Sequence, residues 1–260
     1  MSQRTAVSNS APSKPSDSAK AGVEPTALDK AFEALATYDY GAGRAALVPI
    51  DDAVVAALRD GAAARKLERR LANVLKSGAS SVAKDYVCRK LGLIGSADSV
   101  PALAGLLGDK ATSHAARAAL EHIPDAKAVE VLRVCLPKLE GVQKIGVIIS
   151  LGTRRDSESV PALVALLKDT DTRIAAAAAS ALGDIGTAEA ARALRRFHRN
   201  APDPIRPAVA DACLACAERL SNEGRKAEAL AIYRALDGSR QPKHIQLAST
   251  RGLAMVRGQK

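Results

Sequence analysis

Apolar residues return along this chain in two interleaved ladders. One runs Leu103, Leu132, Leu163 and Leu194, spaced 29, 31 and 31 apart; the other runs Leu91, Leu120, Leu151, Leu182 and Cys213, spaced 29, 31, 31 and 31. Around the rungs the apolar positions fall at i, i+3 and i+4, as in Leu103, Leu106 and Leu107, which is the period of a helix face. Two ladders with one period predict two helices per repeating unit. The units also open alike: Ser99-Val100-Pro101-Ala102-Leu103 returns as Ser159-Val160-Pro161-Ala162-Leu163, and both run on to a Leu-Leu pair and an Asp. Weaker copies, AVEVLRVCL and AEAARALRRF, lie between and after them. Proline at 101 and 161 suits a first helical turn, where no N–H is needed. A short GD or KDTD link then leads into the second helix of each unit. Gly92, Gly152 and Gly183 each follow a ladder leucine directly and are expected to close their helices as C-terminal caps. A unit of about 30 residues cannot bury its stripe alone, so the units stack.

The pattern therefore predicts an all-α chain, an α-solenoid of antiparallel helix pairs with helical caps. Residues 1–25, rich in Ser, Pro, Ala and Lys and without apolar period, read as a disordered tail. Residues 26–60 read as an N-terminal cap of helix, kink and helix, with Pro49 ahead of an Asp-Asp start. Residues 61–220 hold the repeats, and 221–260 form a basic C-terminal helical cap. Composition agrees: 47% of residues are hydrophobic but only 2% aromatic, with no Trp, so alanine fills much of the core and neighbouring helices pack closely. The second helix IAAAAASALG is the extreme case. No apolar run is long enough for a membrane span. No secretory apolar segment precedes the repeats, which places the chain in the cytoplasm, or outside it if an export signal has been trimmed or replaced.

The residues LGLIGSADSVPALAGLLGD and VPALVALLKDTDTRIAAAAASALGDIG resemble HEAT repeats, of the short, alanine-rich bacterial kind related to phycobilisome-lyase repeats. The likeness covers about 60 to 220. It implies a superhelix whose inner face is lined by the second helices, and proteins that are mostly scaffolds and binding surfaces, with few enzymes among them. One departure stands out: the usual Val-Arg opening of the second helix reads Ile174-Ala175, so the common inter-repeat arginine ladder is missing, and with it any partner site built on that ladder. Near the C-terminus AEALAIYRAL resembles a tetratricopeptide second helix, in a single copy.

Candidate chemistry is sparse. There is no H-E-x-x-H, phosphate-binding loop, G-x-S-x-G or Cys/His metal set, so neither catalytic residues nor a metal or cofactor site are assigned. Iron-binding HEAT hydroxylases carry His-Glu dipeptides; this chain has only the reverse order, Glu121-His122. Cys213 and Cys216 form a C-x-x-C inside an apolar helical run, with no second pair at zinc spacing, and read as small core residues. The informative positions are breaks in register. Arg154 and Arg155 stand in columns held by Ile94 and Ile185, and by Gly95 and Gly186. Glu121 stands where its neighbours have Gly92, Gly152 and Gly183. Glu121 and Arg154 belong to adjacent repeats, so they are expected either to form an inter-repeat salt bridge or to make an anion or carboxylate site at the solenoid's edge. On the second helices Asp85 and His114 share one column and Cys88 and Arg117 another, with Arg89 one step on and Lys144 opening the next helix; these are candidates to line a groove.

The formal charge is +10, unevenly spread. Residues 21–220 hold 27 Lys/Arg against 24 Asp/Glu, whereas 221–260 hold 8 against 3. Arg192, Arg195, Arg196 and Arg199 recur at helical spacing on one face, a strip suited to phosphate contact, although base stacking lacks aromatics beyond Phe197. The leading reading is a non-enzymatic scaffold or adaptor that binds a protein partner through Arg154, Arg155, Glu121, Arg89, His114 and Arg117. Behind it stand a phycobilin-lyase-like enzyme or chromophore chaperone, and a nucleic-acid-binding solenoid using the basic C-terminal face.

Overall fold

The computed structural model describes residues 24–238 and 241–258, and over these every regular element is a helix. The expected tail over 1–25 lies, but for its last two residues, outside the described part. An opening pair, α1 (Ala27–Ala36) and α2 (Val48–Ala57), is joined through a 3-10 turn at Arg44–Leu47. Six pairs follow: α3 (Gly61–Leu75) with α4 (Ser81–Ile94), α5 (Val100–Ala104) with α6 (Ser113–His122), α7 (Ala126–Cys135) with α8 (Gly141–Thr153), α9 (Val160–Leu166) with α10 (Thr172–Ile185), α11 (Ala188–His198) with α12 (Arg206–Asn222), and α13 (Lys226–Leu236) with α14 (Lys243–Gly258). The even-numbered helices from α4 to α14 stack on one another in one layer, and the odd-numbered ones form the other layer. The chain is an α-solenoid of helix pairs.

The ladders explain the stack. Every rung is buried, with Leu103, Leu132, Leu163 and Leu194 holding the first-helix layer and Leu91, Leu120, Leu151, Leu182 and Cys213 the second. A buried leucine contributes about 2 kcal/mol through lost apolar surface, so each rung helps to hold its layer. Helix starts follow the local chemistry. Pro101 and Pro161 sit in the first turns of α5 and α9. Asp171 accepts from the Arg173 N–H at 2.9 Å to cap α10, and the Thr187 hydroxyl accepts from Ala190 at 3.2 Å to cap α11. Elsewhere the buried Glu68 of α3 accepts the backbone N–H groups of Ser96 (2.6 Å) and Ser99 (3.1 Å), fixing the turn that leads into α5.

The three glycines after the ladder leucines are not caps. α4, α8 and α10 each continue past them, to Ile94, Thr153 and Ile185. Gly152 and Gly183 are places of close approach instead, while Gly92 stands in ordinary contact with its neighbour. A Cβ at Gly152 would lie 2.9 Å from the Ala181 Cα, one at Gly183 3.0 Å from the Ala212 Cα, and one at Gly92 3.5 Å from the Ala119 Cα. Glycine on one second helix thus admits the backbone of the next at an alanine. Spacing alone suggested a cap because the last turn beyond each glycine carries no ladder residue.

No helix among the described residues is long and apolar enough to cross a membrane.

Candidate functional site

Glycine against alanine repeats at three of the junctions between second helices, α4/α6, α8/α10 and α10/α12. At α6/α8 both columns change together. Glu121 replaces the glycine and Ser150 replaces the alanine, and the Ser150 hydroxyl donates to Glu121 Oε1 at 2.5 Å. Arg117, one turn earlier on α6, reaches into the same seam. Its Nη1 donates to the Gly146 carbonyl at 3.0 Å and to Ser150 Oγ at 3.1 Å, and stands 3.9 Å from Glu121 Oε1. Gly146 makes the room: a Cβ there would lie 2.5 Å from Arg117 Nε. The two charged side chains keep only 14% and 19% of their exposure. Burial pulls the Arg117 guanidinium below its ordinary pKa and Glu121 draws it back; it stays charged. Arg117 Nε has no hydrogen-bond partner. α6 and α8 also pack less extensively than the glycine-lined pairs.

Arg154 acts elsewhere than expected. Its Nη1 donates to the carbonyls of Ile123 (2.6 Å) and Glu121 (3.1 Å), the unpaired end of α6, and not to the Glu121 carboxylate. A cation at a helix C-terminus satisfies orphan carbonyls and meets the negative end of the dipole. The expected Glu121–Arg154 salt bridge is therefore replaced: the carboxylate turns across to Ser150 and Arg117, and Arg154 takes the backbone. Arg155 occupies the left-handed region, with φ of 52°, the one non-glycine residue to do so among those described. Its N–H bonds the Gly152 carbonyl at 2.8 Å and the Asp156 N–H bonds that of Leu151 at 3.0 Å, a Schellman closure. The same pair of bonds closes α12, but there the left-handed residue is Gly224. Asp156 goes on to accept from Arg133 of α7 at 2.5 Å, while the Arg155 side chain is exposed and makes no ion pair.

The remaining predicted residues lie on the outer face of the second helices. Arg89 is exposed and pairs with Asp85 one turn earlier on α4. His114 is exposed, with Nδ1 3.3 Å from Arg117 Nη2. Arg117 does not line a groove as its column suggested, because the open space over Gly146 lets its guanidinium turn into the seam. Of the six residues, Glu121, Arg117 and Arg154 come together at the α6/α8 junction; Arg155, Arg89 and His114 remain exposed. Sequence reasoning missed three large apolar side chains on the same face: Leu93 of α4 (61% exposed) and Val142 and Ile149 of α8 (72% and 48%). The signal was present in the columns. Ile149 shares its column with Arg89, Ser180 and Asp211, and Leu93 shares one with His122, Thr153 and Asp184, so these are polar positions given to apolar residues.

The cysteines are core residues. Cys88, Cys213 and Cys216 are buried, and burial pushes each thiol up to about 12. At neutral pH they are thiols and poor nucleophiles. Among the described residues no three His, Cys, Asp or Glu side chains converge as metal ligands would.

Residues 140–215 match a family model of HEAT repeats. No curated protein matches the chain. Among solved structures, one of human deoxyhypusine hydroxylase in complex with glycerol is similar over 88% of this chain and 96% of its own, at 15% identity and a TM-score of 0.34. That likeness is too loose to bear on activity.

Proposed function

We propose that this HEAT-repeat protein is a non-catalytic scaffold or adaptor that binds a protein partner on the outer face of α4, α6 and α8. The observation that carries the reading is the exposure of Leu93, Val142 and Ile149 on that face. Large apolar side chains exposed on α4 and α8, either side of α6, are candidates for an interface, and interfaces join such residues to a polar rim. Arg89 and His114 supply polar groups on the same helices. Arg155 adds an exposed cation held in a conformation that glycine would adopt more readily, and such residues collect at functional sites.

The test uses the full chain as bait beside two variants, Leu93→Glu with Ile149→Glu, and Arg89→Glu with Arg155→Glu. Proteins retained by the wild type and released by the first variant, at an unchanged melting temperature, support the reading. Equal retention by all three counts against it.

A further inference from the structure

We propose that α11, on the opposite layer, is a second docking site, and that its occupant is an acidic segment with apolar residues carried by a protein partner. This inference rests on the protein-binding reading but on different residues.

Arg192, Arg195, Arg196 and Arg199 recur at i, i+3, i+4 and i+7, so four guanidinium groups share one face within about 10 Å of helix length. Among the described residues none of them makes an ion pair with an acid. Several arginines elsewhere do pair: Arg70 with Asp29, Arg133 with Asp156, Arg173 with Asp171, and Arg225 with Glu228. Like charges at i+3 and i+4 destabilise a helix, so a row of four without ion pairs among the described residues has a folding cost.

Grooves on either side of the row indicate what neutralises it. Between α9 and α11 lies a cavity of about 460 Å³, walled by Val164, Leu167, Ala193 and Phe197, with Lys168 and Arg196 at its edge. Between α11 and α13 lies another of about 240 Å³, with Ala191, Ala231 and Ile232 at its floor, Arg192 and Arg195 beside them, and Glu228, already paired with Arg225, at its edge. Guanidinium groups take carboxylates in bidentate pairs, and the two apolar floors take aliphatic side chains. A segment that alternates carboxylates with leucine-like residues satisfies both. Single-stranded nucleic acid satisfies only the first, since Phe197 is the only aromatic side chain in the walls and is half-buried. The chain's own first twenty residues are net basic and are no match in charge.

The experiment follows anisotropy of a labelled peptide of glutamates interrupted by leucines, titrated with the full chain at several salt concentrations. Three further probes are the same peptide with serine for leucine, an all-glutamate peptide and oligothymidine. Saturable binding of the leucine peptide is expected, weakened at least about tenfold by Arg192→Glu with Arg196→Glu and by Ala231→Trp, which fills the floor without changing charge. The milder Arg192→Ala with Arg199→Ala serves if charge reversal disturbs folding, judged by thermal melting. Equal or tighter binding of oligothymidine, or equal binding of the serine peptide, overturns the proposal, as does full binding by the folded arginine variants. The two sites fail separately: loss of the peptide in the Leu93/Ile149 variant alone removes α11 from the account and leaves the other face. Loss in the α11 variants alone, with no partner released by the Leu93/Ile149 variant, does the reverse.

Discussion

Two junctions of the same solenoid, α6/α8 and α8/α10, meet the same geometric demand with opposite chemistry. At α8/α10 the backbone of one helix rests on a glycine of the other, so Gly152 and Ala181 leave no space for a further atom. At α6/α8 the corresponding pair is Glu121 and Ser150, and Arg117 fills the gap that the larger residues open. The first junction is specified by shape and the second by hydrogen bonds. A period of 31 residues therefore fixes where helices meet without fixing what they meet with.

The largest expected effect comes from violating the close contact. Gly152→Val places a branched side chain against the Ala181 backbone and is expected to destabilise the fold by about 3 kcal/mol in urea titrations. Next is Glu121→Ala, which leaves Arg117 in the seam without its carboxylate and Ser150 with only the Gly146 carbonyl to donate to; a loss of about 2 kcal/mol is expected. Converting the whole seam sharpens the contrast. Arg117→Ala, Glu121→Gly and Ser150→Ala together recreate the glycine–alanine junction, and their stability should fall within about 1 kcal/mol of wild type, far from the sum of the single losses. Strong additive loss would show that the polar groups hold α6 against α8 in a way that shape cannot.

A gain is expected at Arg155. Glycine adopts a φ of 52° without the side-chain penalty, so Arg155→Gly should raise stability by about 1 kcal/mol, while weakening partner binding if the exposed guanidinium belongs to the interface. The smallest effect is one of pH. His198 of α11 is buried, and burial lowers its pKa from 6.5, partly offset by Gln241 at 3.2 Å. Because the folded state holds the ring neutral, its contribution is present above pH 6.5 and declines as the pH falls from there through the lowered folded value. Thermal midpoints measured on the acid side of neutrality should drop less steeply in His198→Gln.

Much of the fold was legible because its rungs are single residues at fixed spacing: Leu91 and Leu103 announce themselves, and a period cannot be hidden by a few substitutions. The unusual junction was legible as well, since Glu121, Arg154 and Arg155 each broke a column. What each break does was harder to read. Gly152 resembled a cap because it follows a leucine, yet its role depends on Ala181 of another repeat. Arg154 and Glu121 looked like partners by charge, but the nearest unsatisfied groups for Arg154 are carbonyls, which every helix end possesses and no side-chain pattern displays. That Glu228 of α13 pairs with Arg225 and leaves Arg192 without an ion pair is likewise set by contacts far from Arg192 in sequence.

The α6/α8 seam has a mechanical consequence. Helices in backbone contact at Gly152 or Gly183 cannot tilt towards each other without collision, so those junctions are stiff. A seam joined through long side chains deforms by rotating torsions, at far lower cost. Between α4 and α12 the α6/α8 seam is thus a compliant coupling among closer-packed neighbours, and a change of curvature on loading should concentrate between the second and third helix pairs after the opening one, beside the exposed Val142 and Ile149.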